Sequence, residues 1–92
     1  MKYLLTSETI SVGETTLHRI VALQSFADVK IGDFGGFVEH ENNLSHDGDC
    51  WAYGEAHVDG NAYVYDNAKV MDNANVCDNA RVCGNAVVCD NA

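Results

Sequence analysis

Residues 55–92, broken into sixes, read EAHVDG NAYVYD NAKVMD NANVCD NARVCG NAVVCD NA. Alanine recurs at positions 56, 62, 68, 74, 80, 86 and 92, and valine at 58, 64, 70, 76, 82 and 88. Residues two apart on an extended strand share a face, so each six offers one short strand with Ala and Val on the same side. The Asp-Asn or Gly-Asn pair that follows is corner chemistry, because Asn and Gly tolerate left-handed backbone angles that β-branched residues resist. A helix needs apolar residues at three- and four-residue spacing, and a two-then-four spacing builds no such stripe. Strand and corner therefore alternate strictly along this half of the chain.

An aliphatic residue followed four positions later by a small one occurs at Val58 and Ala62, Val64 and Ala68, Val70 and Ala74, Val76 and Ala80, Val82 and Ala86, and Val88 and Ala92. This pattern resembles the hexapeptide repeat of left-handed parallel β-helices. The resemblance implies an all-β fold, a single-stranded left-handed parallel β-helix (β-solenoid), in which three sixes make one triangular coil. Residues about 18 apart then stack at the spacing of neighbouring strands, about 4.8 Å. Val58 is expected over Val76 and Asn67 over Asn85, with the asparagines bonding along a ladder.

Working outward, Glu8 to Val12 and Thr15 to Leu23 are rich in strand formers and separated by Gly13-Glu14, which reads as a β-hairpin. Its expected role is a cap, since an open coil end presents unpaired strand edges. Residues 26–48 carry Ile31-Gly32-Asp33, a match to one hexapeptide start, and then Gly35-Gly36, which signals unusual backbone angles or close approach. The chain thus divides into a hairpin cap over 1–25, an irregular first coil over 26–48 and the repeat over 49–92, all in one continuous domain. From Arg19-Ile20, Phe26 and Asp28-Val29-Lys30 through Gly35-Gly36, Asn43-Leu44-Ser45 and Cys50-Trp51 to Val58, the chain is similar to a bacterial and phage-associated arrangement that precedes hexapeptide repeats. Some of that group are called transferases because the repeat also builds acyltransferases, although a fold does not by itself determine function.

Ninety-two residues make one small domain. Five Lys and Arg against 14 Asp and Glu give a formal charge of -9, which repels phosphate backbones and anionic headgroups. Nucleic acid and membrane are therefore not expected as partners. The first residues resemble no signal peptide and no segment approaches the roughly 20 apolar residues of a membrane span, so a cytoplasmic location with reduced cysteines is expected. The repeat stops at Cys89-Asp90-Asn91-Ala92 without a distinct cap, and residues 49–92 supply about two and a half coils where three or more are usual. Self-association through the uncapped C-terminal coil, or a protein partner there, is the expectation.

Enzymes of the resembled family use a histidine as general base in a cleft between subunits. Of His18, His40, His46 and His57, only His57 lies in the repeat, where its position before Val58 points it outward. It is the weak catalytic candidate; a lone outward His is more often a solvated surface residue. No loop interrupts Glu55 to Ala92 to wall a pocket, and the negative charge disfavours phosphate-rich cofactors, so no cofactor is expected. Cys77, Cys83 and Cys89 follow Val at six-residue steps and so occupy different walls, while no two of the four cysteines are 18 apart. Neither a disulfide nor a zinc site is expected, and Cys50 reads as a small core residue. Trp51, Tyr53, Tyr63 and Tyr65 cluster in the first regular coil, with Trp51 expected over Lys69 and Tyr63 over Arg81 as cation–π contacts. These four aromatics are the possible interaction surface, suited to a protein partner or a glycan. The function expected is a non-catalytic structural or protein-interaction module; the alternative is a fragment or subunit of a hexapeptide-type acyltransferase.

Overall fold

The computed structural model describes residues 1–90; Ala92, and with it the last Val–Ala pair of the repeat, lies outside the described residues. The chain is all-β. Its strands are β1 (Tyr3–Val12), β2 (Thr15–Ala22), β3 (Phe34–Val38), β4 (Trp51–Ala52), β5 (His57–Val58), β6 (Tyr63–Val64), β7 (Lys69–Val70), β8 (Asn75–Val76), β9 (Arg81–Val82) and β10 (Val87–Val88), with one short helical turn at Glu41–Asn43.

Two-residue strands are what the sixes permit, because each Ala-x-Val is followed at once by a corner. Each corner closes with a hydrogen bond such as Ala62 N–H to the Asp59 carbonyl at 3.2 Å or Ala74 N–H to the Met71 carbonyl at 3.2 Å. The left-handed residue is the Asp or Gly of the corner pair, not the Asn: Gly60, Asp66, Asp72, Asp78, Gly84 and Asp90 have φ of 58–64°. A positive φ at the first central position alone is the type II′ pattern. The aspartates also bond forward, with Asp66 accepting from Gly84 N–H at 3.2 Å and Asp72 from Asp90 N–H at 3.1 Å.

The short strands pair in parallel with the strand 18 residues on: Trp51 with Lys69, His57 with Asn75, Val58 with Val76, Tyr63 with Arg81, and Val70 with Val88. Asparagine bonding between these levels occurs at Asn61 and Asn79, 3.3 Å apart, whereas Asn67 accepts from the Asp49 backbone at 3.2 Å. The result is three sheets, ordered β1-β2-β3-β5-β8, β10-β7-β4 and β6-β9. Val58, Val64, Val70, Ala56, Ala62 and Ala68 are all buried between them.

β1 and β2 form an antiparallel hairpin about Gly13 and continue the first sheet through β3. β1 starts earlier than Glu8 because Tyr3 to Leu5 also pair, opposite Ala22 to Ile20, across an irregularity between Leu5 and Thr9. The first cycle is longer than the rest, since Phe37 pairs with His57 and Leu44 with Val64, an offset of 20 residues. The extra length is held by Asn43, fully buried, which donates to the Gly60 and Ala62 carbonyls at 3.1 and 2.9 Å and accepts from Glu39 and His40 N–H at 3.1 and 2.9 Å. Gly36 passes so close that a Cβ there would stand 2.5 Å from the Ala56 carbonyl oxygen.

Candidate functional site

The four aromatic residues do not share a face. Trp51 is only 1% exposed. Strand alternation turns it away from its buried neighbours Cys50 and Ala52, but the N-terminal segment folds over it. Phe26 and Tyr3 pack edge-on against the indole at 5.2 and 6.1 Å, and Gly35 runs so close that a Cβ there would stand 2.7 Å from an indole carbon. Trp51 is thus removed from the expected interaction surface, and its cation–π contact with Lys69 does not form. Lys69 Nζ instead stands 5.9 Å from the Tyr53 ring. Arg81 pairs in register with Tyr63, but the cations placed over rings among the described residues are Lys2, Arg19 and Lys69.

Tyr53 faces an open hollow of about 820 Å³ lined also by Asp28, Glu55, Met71, Asp72 and Asp90. Its hydroxyl donates to Asp28 at 2.7 Å, a bond that holds the Asp28 carboxyl below the usual range, while burial first and Asp28 second push the Tyr53 phenol up. Ligating atoms of Asp72, Cys89 and Asp90 lie within 4.8 Å of one another. Asp72 is already an acceptor for the Asp90 backbone, and the negative charge of Asp90 pushes the Cys89 thiol up.

Tyr63 and Tyr65 lie on a different wall. Their rings stack at 4.8 Å and 18°. Tyr63 borders two hollows: one of about 540 Å³ with Glu41, Ser45, His46, Asp47 and Arg81, and one of about 200 Å³ that adds Tyr65 and Asp66.

The histidines are individually accounted for. His57 is half-buried with its ring 5.9 Å from Phe37, edge to face, and lines none of these hollows. His46 Nδ1 accepts from the Lys2 N–H at 3.2 Å, and its Nε2 is buried without a partner. His18 Nδ1 lies 3.1 Å from the Thr6 carbonyl, a contact that makes it the donor, on the hairpin away from every hollow described. His40 Nδ1 is buried without a partner.

One pairing lay beyond sequence reasoning. Lys2 is 3% exposed and donates to the Cys50 carbonyl at 2.7 Å and the Cys50 sulfur at 3.4 Å. Burial pushes the Cys50 thiol up, against the opposing pull of Lys2. A lysine at position 2 carries no local signal that it will be buried; its partners come from far along the chain.

Fold and surface together define a small acidic all-β protein whose repeated short strands stack in parallel. No family model matches the chain. It is 40% identical over 37 residues to a protein of Escherichia coli (strain K12) described as the uncharacterized acetyltransferase YdcK, a match covering 40% of this chain and 11% of that relative. Among the described residues, no helix is long and apolar enough to cross a membrane.

Proposed function

We propose that this chain is a cytoplasmic, non-catalytic left-handed parallel β-solenoid of the hexapeptide-repeat kind, working as a structural or protein-interaction module. The observation that carries the reading is the unbroken run of two-residue strands and tight corners from Trp51 to Val88, each level paired 18 residues on. No inserted loop overhangs a wall there, so nothing in that stretch encloses a substrate beside a histidine. The proposal includes association by pairing at the outer edges of β8, β9 and β10, the last strand of each sheet among the described residues. Either a second copy or another protein can meet such an edge by strand addition.

A second reading, a piece of a hexapeptide-type acyltransferase, is favoured by the short likeness to the E. coli protein. Light scattering after size exclusion, with calorimetric titration of acetyl-coenzyme A, separates the two. The module reading expects a concentration-dependent size and no heat of binding. A defined trimer that takes up acetyl-coenzyme A, and loses it in His57→Ala, would overturn it.

A further inference from the structure

We infer that the wall bearing Tyr63 and Tyr65 is a binding site for a neutral saccharide, an assignment that rests on the interaction-module reading and names its ligand. Tyr63 and Tyr65 stack as an aromatic pair, and Tyr63 lines the larger hollow together with Glu41, Asp47 and Arg81. An open aromatic face takes the carbon-bound hydrogens of a pyranose ring, while convergent polar groups fix its hydroxyls.

Those polar groups are present, and they are of both kinds. Arg81 stands directly below Tyr63 in the strand pairing and is exposed, and the ion pairs formed among the described residues involve Arg19 instead. Asp47 and Glu41, both able to accept, line the same hollow. A hydroxyl both donates and accepts, so a sugar satisfies this mixture, whereas an apolar side chain docked there would leave these polar groups unpaired. Phosphate and acidic sugars are disfavoured by the two carboxylates in a chain of charge -9. The smaller hollow shares Ser45, Asp47 and Tyr63 with the larger, so the site runs on past one sugar unit.

The test is proton NMR of the full chain titrated with lactose, cellobiose and chitobiose, following the tyrosine ring signals and saturation transfer to the sugar. Expected is binding by at least one of them with a Kd of about 1 mM. Tyr63→Ala should weaken it by about tenfold or more, Arg81→Gln should weaken it without altering the fold, and Tyr53→Phe in the other hollow should leave it unchanged. Silence from all three sugars up to about 50 mM, or binding indifferent to both Tyr63→Ala and Arg81→Gln, overturns the assignment. Acetyl-coenzyme A titrated in parallel keeps the two readings apart. Uptake of the coenzyme sinks the module, whereas failure of the sugars with no uptake sinks only the saccharide site.

Discussion

Replacing Trp51 with alanine is the sharpest probe of how the N-terminal segment sits on the repeat. The indole is 1% exposed and packs against Tyr3, Phe26 and the backbone at Gly35. Burying an aromatic of 150–250 Å² at 25 cal/mol per Å² is worth about 4–6 kcal/mol as an upper bound, and measured Trp→Ala losses in cores are about 3–5 kcal/mol. A chain of 92 residues has a total stability of about 5–14 kcal/mol, so this one change removes a large share of it. In urea, followed by far-ultraviolet circular dichroism, the midpoint should fall by about 2–3 M at an unchanged slope. Trp51 is the single tryptophan, so acrylamide quenching of the native protein gives an independent reading and should be weak. Had Trp51 stood on a solvent-facing wall, the loss would be within about 0.5 kcal/mol and quenching strong. That pair of results would refute the packing described above.

Other expectations follow from single contacts. Asn43→Ala deletes four hydrogen bonds, one buried and three part-buried, around the lengthened first cycle and should cost about 3 kcal/mol or more in the same urea experiment. Burial, and then Glu39, push the Asp59 carboxyl up, so the unfolded chain ionises first and stability falls as pH rises through the aspartate range. Asp59→Asn should accordingly raise Tm at pH 7, with the gain disappearing below about pH 4, in thermal melts across pH. Gly48 and Gly84 share a left-handed φ, of 70° and 64°, but a Cβ at Gly48 would strike the Asp66 backbone while one at Gly84 meets open space. Gly84→Ala should cost about 1 kcal/mol and Gly48→Ala clearly more; equal losses would show that the two levels are not in contact there.

Most of the repeat was legible because its information is local. Ala and Val at period two state which side of each strand is buried, and the corner pair states where it ends, so the pairing of Val58 with Val76 could be anticipated. The left-handed position within the corner was not, since Asp, Asn and Gly all tolerate it and only the turn type selects the first of the two. The division of the four aromatics between walls and interior was not legible either. Tyr63 and Tyr65 do stack on one wall, but Tyr53 belongs to another hollow and Trp51 to the interior.

The amino-acid sequence by itself determined that this chain is all-β, that its second half alternates short strands and corners at a period of six, and that its formal charge is -9. Those properties follow from alternation along a strand, from residues that tolerate a positive φ and from simple counting. Only the tertiary structure decided what covers what. Lys2 lies against Cys50, Tyr3 and Phe26 close over Trp51, and Asn43 carries the two extra residues of the first cycle. In each case the partners are far apart in the chain, and burial of an outward-facing side chain depends on a distant segment arriving to exclude water, which no local pattern records.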